Sequence, residues 1–281
     1  MTLEQVLRQA REELTRQKID DAALEAEVLL RHATGLSRSQ LYIEFGREVS
    51  GDEERRFQGF VARRAGGEPA AYITGQREFY GLDFCVDRRV LIPRPESELL
   101  VDQAIELGRK GARSFADIGT GSGCIAISIA IGLPQAIVYA TDLSRDALDV
   151  ALVNCRKHGV AERITLLQGD LAGPLPGPFD VIVANLPYVR QSQLASVNTH
   201  GYEPSLALDG GEDGLDRVRS LTDQVASKLN PGGCLLLEIG EGQEQAAADV
   251  VKMHFPAARI RVLPDLGGIP RVVLASFSLS I

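Results

Sequence analysis

The chain has 281 residues, 44% of them hydrophobic and 24% charged, with 30 basic and 38 acidic side chains giving a formal net charge of −8. This is the composition of an ordinary globular protein with room for one large domain and a smaller one. Splitting the chain at residue 86 leaves 12 basic and 15 acidic residues before the cut and 18 and 23 after it, so neither part is basic. That balance argues against a broad surface for a nucleic-acid backbone. Cys85, Cys124, Cys155 and Cys234 lie far apart, and His32, His158, His200 and His254 stand near none of them at metal-ligand spacing, so no metal is expected. No apolar run approaches the roughly 20 residues of a membrane span. Met1 is followed by a charged amphipathic segment and not by an apolar leader, so a cytoplasmic protein is expected. Nothing signals dimerisation, and a monomer is expected.

Residues 1–66 read as helices. Leu3, Val6, Leu7, Ala10 and Leu14 recur at helical spacing, as do Ala22, Ala26, Leu29, Leu30 and Ala33 before Gly35. Ser37 opens a short segment, and Phe57, Phe60 and Val61 give a further apolar face ending at Gly66-Gly67. Tyr72-Ile73-Thr74-Gly75 and residues 77–86 look like short strands joined by a glycine-centred turn. Pro95 with acidic neighbours predicts a helix start, continued through Leu99, Leu100, Ala104 and Ile105.

From residue 114 the texture alternates. Strands are expected at Ser114–Ile118, Ala136–Thr141, Ile164–Gln168, Phe179–Ala184, Cys234–Ile239, Arg259–Val262 and Val272–Phe277, and helices at 123–131, 144–158, 214–229 and 242–254. Such alternation predicts an α/β fold with a mainly parallel sheet covered on both faces. The last two strands, separated only by Pro264 to Pro270, are expected to form an antiparallel hairpin.

Asp117-Ile118-Gly119-Thr120-Gly121-Ser122-Gly123 closes the first of these strands and opens a helix. Glycines there let a ligand approach main-chain N–H groups. The spacing is neither the G-x-G-x-x-G of dinucleotide enzymes nor a P-loop, and Asp117 would repel phosphate but suit an ammonium group. Asp142, 21 positions after Gly121, ends the next strand and is suited to ribose hydroxyls. Asp170-Leu171 ends the third, where an Asp could receive an adenine amino group and a Leu cover the ring. Ligands of open α/β sheets bind at the carboxyl ends of strands, so the three ends form one crevice. A nucleoside without phosphates but with an amino-acid tail, S-adenosylmethionine, fits it.

Asn185-Leu186-Pro187-Tyr188 ends the fourth strand beside that crevice. An Asn amide oxygen, a backbone carbonyl beside a rigid proline and an aromatic face together can hold a planar amino or amide group.

With Pro69–Gly75, residues 77–82, Leu91–Glu98, Asp117–Gly123, Tyr202-Glu203-Pro204 and Leu206–Gly211, the chain resembles the HemK/PrmC family of glutamine methyltransferases. The resemblance implies the class I S-adenosylmethionine-dependent methyltransferase fold: a mostly parallel seven-stranded sheet with an antiparallel last strand, and a small N-terminal helical domain. It divides the chain into a helical bundle (1–70) that docks the release factor, a β-hairpin linker (71–90) and the methyltransferase domain (91–281).

It further implies that Gly119, Thr120, Gly121, Ser122 and Gly123 line the S-adenosylmethionine site, with Asp142 on the ribose and Asp170 and Leu171 near the adenine. Asn185, Pro187 and Tyr188 would clamp the side chain of a glutamine, that of the Gly-Gly-Gln loop of bacterial class I peptide chain release factors, leaving S-adenosylhomocysteine as product. The family tetrapeptide is Asn-Pro-Pro-Tyr, and Leu186 departs from it toward the Asn-Leu-Pro-Tyr of ribosomal RNA adenine dimethyltransferases. Those place their helical domain after the catalytic one, whereas here it comes first and the chain is acidic. A glutamine methyltransferase acting on a ribosomal protein is the nearer alternative.

Overall fold

The computed structural model describes residues 1–198 and 200–277. It divides into two units, Met1–Gln76 and Arg77–Ile281.

The first unit is helical: α1 (Leu3–Arg16), α2 (Ala22–Thr34), α3 (Arg38–Ile43), α4 (Gly51–Ala65) and α5 (Ala70–Thr74). Thr2, Ser37 and Ser50 open α1, α3 and α4 with reciprocal capping boxes to Gln5, Gln40 and Glu53, satisfying N–H groups that a helix start leaves unpaired. Leu3, Leu7 and Leu14 of α1 share a buried cluster with Leu29 and Leu30 of α2 and Phe57 of α4. The apolar stripes legible in the sequence are therefore the faces that meet.

Tyr72-Ile73-Thr74 is helical, not the expected strand. Pro69, at φ −58°, sets up the first turn, and Gly75, at φ 70°, ends it. Ala70 and Ile73 join the helical core. Packing thus overrides the β preference of an aromatic and two β-branched residues.

Next along the chain comes the hairpin β1 (Gln76–Phe79) and β2 (Leu82–Cys85), which from Arg77 onward belongs to the second unit. Its two-residue turn holds Tyr80 and Gly81 at φ 54° and 73°, the conformation that matches strand twist. A 3₁₀ turn, Pro95–Ser97, leads into α6 (Glu98–Arg109), so the helix expected from Pro95 takes its α form three residues later. There follow β3 (Ser114–Ile118), α7 (Cys124–Gly132), β4 (Ile137–Asp142), α8 (Arg145–Lys157), β5 (Ile164–Gln168) and β6 (Phe179–Ala184). The chain continues through α9 (Leu194–Val197), α10 (Asp216–Val225), β7 (Leu229–Glu238), α11 (Glu244–His254), β8 (Arg259–Pro264) and β9 (Pro270–Ser276).

The sheet has seven strands in the order β5-β4-β3-β6-β7-β9-β8. β9 runs antiparallel to both β7 and β8, and the remaining pairs are parallel. The chain leaves β3 for β4 and β5 on one side and then builds β6 and β7 on the other. The order therefore reverses between β3 and β6, where open α/β sheets bind ligands. Register places Ile118 opposite Ala184 at that point.

A second stretch departs from expectation. α10 stops at Val225, and β7 begins at Leu229, five residues before the expected strand. Asn230-Pro231-Gly232-Gly233 reads as a turn, yet it sits in the strand as an irregularity between the pairs Phe179↔Leu229 and Val181↔Cys234. Asn230 Nδ2 donates to Asp180 Oδ1 across it at 2.8 Å.

Leu235, in β7 between β6 and β9, is fully buried among Ile182, Leu221 and Val273. Leu235→Ala is expected to cost about 2–5 kcal/mol, read as a lower denaturant midpoint at unchanged slope.

Candidate active site

The loop after β3 is built backwards from its glycines. Gly119, at φ 73°, turns the chain sharply, and a Cβ there would lie 3.4 Å from Leu186 Cδ2 and 3.7 Å from the Asn185 carbonyl. Gly123, at φ 82°, leaves space that a Cβ would close, 3.1 Å from Ile127 Cδ1 and 3.2 Å from Ala151 Cβ, so α7 packs tightly on α8. The N–H groups of Gly119 and Thr120 both donate to the Thr141 carbonyl at 2.9 Å, tying the loop to β4.

Asp117 is buried at 1% exposure beneath this loop. Its Oδ2 accepts from Thr120 Oγ1 at 2.7 Å and from the Ala126 N–H at 3.2 Å. Its Oδ1 is buried and meets no hydrogen-bond partner among the described residues. Burial pushes the carboxyl up to about 6, against the pull of the Thr120 and Ala126 bonds. An orphaned buried oxygen of this kind suits a cation.

Asp142, at the end of β4, accepts from the Gly121 N–H and the Ser144 N–H, each at 2.9 Å. Ser144 is the residue that caps α8, accepting from the Ala147 N–H, so Asp142 is spared that task. Burial raises its pKa too. Each of its oxygens keeps a lone pair for a further donor.

Asp170 is exposed and lies 3.8 Å from Arg217 Nη1. Leu171 is buried and holds φ 51°, a left-handed conformation that a branched side chain rarely adopts. Its carbonyl accepts from Thr141 Oγ1 at 2.8 Å, which helps to hold that conformation.

These groups border an open cleft of about 820 Å³ lined by Gly119, Gly121, Asp142, Asp170, Leu171 and Asn185 among others. Asp117, Thr120, Ser122 and Gly123 are not among its lining residues. Ser122 presents its carbonyl to Asn154 Nδ2 at 2.9 Å, a bond that braces the loop from behind.

The Asn185–Tyr188 segment separates this cleft from a second one of about 1260 Å³, bordered by Arg94, Tyr188, Arg190, Gln193 and Gln243. Asn185 and Leu186 line both. Asn185 Nδ2 donates to Ser97 Oγ at 2.8 Å, so Oδ1 is the polar atom the side chain keeps for a ligand. Leu186, 4% exposed, joins the core cluster with Ile118 and Ala184 and rests against Gly119. Burial pushes the half-buried Tyr188 phenol up to about 12, so it is a neutral ring with a donor.

Several residues that hold this segment were not singled out as site residues from the sequence. Gln243 Nε2 donates to the Tyr188 carbonyl at 3.1 Å while its Oε1 accepts from the Gly240 N–H. Glu203 accepts from the Ile92 N–H at 3.1 Å and from Arg94 Nη2 at 2.6 Å, joining the proline-rich segment to the Tyr202–Pro204 turn. Gly210 leaves no space for a side chain, since a Cβ would fall 2.7 Å from the Pro187 carbonyl oxygen and 2.8 Å from Tyr188 Cα. The glycine pair at 210–211 was a visible signal, but its partner 23 residues upstream was not.

A doubly wound sheet whose switch point carries a glycine loop, strand-end carboxylates and a polar aromatic tetrapeptide defines a class I methyltransferase. Family models agree: residues 5–75 match the PrmC N-terminal domain and residues 95–200 the methyltransferase small domain. A release factor glutamine methyltransferase of Moorella thermoacetica is 45% identical over 98% of both chains, and one from Koribacter versatilis is 39% identical over 98% of both. A methyltransferase of Pyrococcus furiosus, 19% identical, has the same fold at a TM-score of 0.54, covering 79% of this chain and 98% of its own. The chain belongs to the release factor glutamine methyltransferase family. No helix among the described residues is long and apolar enough to cross a membrane.

Gly210→Ala is expected to shift the Pro187–Tyr188 backbone, since all three near contacts are main-chain atoms. Overpacking of about 1–3 kcal/mol, felt at the clamp, should appear as a drop of about 5- to 150-fold in methyl transfer. Calorimetric affinity for S-adenosylhomocysteine should stay within about twofold, because Gly210 is not among the residues lining the first cleft.

Proposed function

We propose that this protein transfers a methyl group from S-adenosylmethionine to the side-chain amide nitrogen of the glutamine in the Gly-Gly-Gln motif of class I peptide chain release factors. The observation that carries this reading is the Asn185 side chain, whose Nδ2 is spent on Ser97 at the point where the two clefts meet. A side chain so fixed offers an acceptor, which is what an amide –NH₂ needs.

The residues of the first cleft fit the cofactor. Asp142 would accept from the ribose hydroxyls, Asp170 from the adenine amino group, and Leu171 would cover the ring. The Gly119–Gly123 loop would receive the amino-acid end, with the buried Asp117 carboxyl supplying negative charge beneath it. When bound, S-adenosylmethionine supplies an electrophilic methyl carbon whose bond to sulfur breaks as the nitrogen attacks.

An amide nitrogen is a poor nucleophile because its lone pair is delocalised into the carbonyl. Asn185 Oδ1 and the backbone carbonyl at or beside Pro187 would accept its two hydrogens, holding the nitrogen in line with the methyl group and turning its lone pair toward it. Tyr188 would pack against the glutamine side chain. Positioning and oriented dipoles then carry the catalysis. The methylated amide cation is strongly acidic, so the proton is lost to water in the open second cleft. We further infer that residues 1–70 dock the release factor and that the enzyme works as a monomer in the cytoplasm.

Purified release factor should gain one methyl group on that glutamine, read by mass spectrometry of the digested product; labelling of ribosomal RNA or of a ribosomal protein instead would overturn the assignment. Asn185→Ala should lower kcat by about 10²–10³-fold, the worth of an oriented acceptor at a reacting group, with S-adenosylhomocysteine affinity nearly unchanged.

The pH dependence of cofactor binding has a definite sign. The Asp117 carboxyl, pushed up to about 6 by burial, must be ionised to pair with an ammonium group. Affinity for S-adenosylhomocysteine should therefore rise with pH through about 6 and then level off. In Asp117→Asn, calorimetry should find weaker binding without that step.

A further inference from the structure

We propose that Glu238 is a positioning residue that sets which way the Asn185 side-chain amide faces, acting through the Ser97 hydroxyl. This rests on the role of Asn185 given above.

The sheet register brings the three residues together. Ala184 pairs with Leu237, so Asn185 and Glu238 are the next residues on adjacent strands at the carboxyl edge. Ser97, in the turn before α6, is 2% exposed and receives the Asn185 Nδ2 hydrogen at 2.8 Å. Glu238 is 2% exposed, and neither of its oxygens makes a well-formed hydrogen bond among the described residues, although the Ser97 hydroxyl is near enough to lower its pKa as a donor. A buried carboxyl left this way is costly, and the fold keeps it beside Asn185 at the carboxyl edge of the sheet.

The groups around it leave Ser97 as its switchable neighbour. Burial pushes the Glu238 carboxyl up to about 7; the Ser97 hydroxyl pulls it down, Glu96 pushes it up, and Arg271 and Arg94 pull it down. Arg94 is already paired with Glu203, and Arg271 with Asp265. Tyr188 and Cys124 also feel its charge, but burial holds both near 12, so neither titrates in the same range.

Hydrogen-bond sense does the rest. With Glu238 ionised, the Ser97 O–H turns to the carboxylate, and Ser97 Oγ is left as a pure acceptor for Asn185 Nδ2–H. Asn185 Oδ1 then faces the substrate amide. With Glu238 protonated, its O–H competes for Ser97 Oγ, and the Ser97 hydrogen is free to point at Asn185. That favours the flipped amide, which presents donors to a substrate that is itself a donor.

At saturating S-adenosylmethionine and release factor, kcat of the full-length protein is expected to rise about tenfold, the worth of one oriented hydrogen bond, as pH passes upward through about 7. Glu238→Gln should give a flat profile with KM for S-adenosylmethionine unchanged, whereas the Asp117 step near 6 belongs to that KM. In the ligand-free protein, the ¹³C carboxyl signal absent from Glu238→Gln should titrate near 7, and Ser97→Ala should move that midpoint upward, because the hydroxyl lowers it.

A kcat step retained in Glu238→Gln, or a Glu238 carboxyl titrating at the ordinary glutamate value, overturns the proposal. If Glu238→Gln fails to fold, Ser97→Ala decides it: loss of the kcat step supports the relay and retention refutes it. Full turnover in Asn185→Ala would instead refute the clamp. An inactive Asn185→Ala with the step intact in Glu238→Gln removes the relay alone.

Discussion

Everything in the second unit hangs on the parallel pairing of β3 with β6. Register sets Ile118 opposite Ala184, and the chain then leaves the two strands as the Gly119 loop and the Asn185 loop. Leu186 Cδ2 lies 3.4 Å from where a Gly119 Cβ would sit, so the two loops are neighbours and share one wall. A slip of one residue would turn Asn185 into the sheet and Ala184 into the cleft, since side chains alternate faces. The departure from the family tetrapeptide thus has a physical counterpart. Leu186 gives up the fixed φ of a proline and gains a buried anchor in the core with Ile118 and Ala184.

Three strand ends around the switch point, on β4, β3 and β7, place carboxylates in poorly hydrated positions. Asp117, Asp142 and Glu238 terminate β3, β4 and β7 or lie one residue before the end, and burial raises all three. Acidic groups held this way disfavour phosphate and favour cations, in keeping with a ligand carrying ammonium and sulfonium charge. They are costly to the fold, and each is partly offset: Asp117 by Thr120 and Ala126, Asp142 by two backbone N–H groups, Glu238 by the Ser97 hydroxyl and then by Arg271 and Arg94. Such preorganised charge does not have to reorient as the reaction proceeds.

Local pattern carried the sheet and the glycine loop because both obey short-range rules. A strand end followed by Gly-x-Gly-x-Gly, and an Asp closing the next strand, can be read in a window of a few residues. Reading failed where tertiary packing outweighed local preference. Tyr72-Ile73-Thr74 has the composition of a strand and became a helix because Ala70 and Ile73 complete a helical core. Pro231-Gly232-Gly233 has the composition of a turn and became part of β7 because the strand tolerates an irregularity opposite Asp180.

The amino-acid sequence by itself determined the α/β class, the antiparallel closing hairpin, the glycine loop and the identity of the tetrapeptide, since each depends on neighbours along the chain. Only the tertiary structure decided how Asn185 is oriented. Ser97 lies 88 residues upstream, Gln243 lies 55 residues beyond Tyr188, and Gly210 reaches the Pro187 carbonyl from another loop. Contacts of that range come from sheet order and register, which short-range spacing does not encode. The same holds for Glu238: in sequence it is one acid after an apolar run, and burial beside Asn185 is what gives it chemistry.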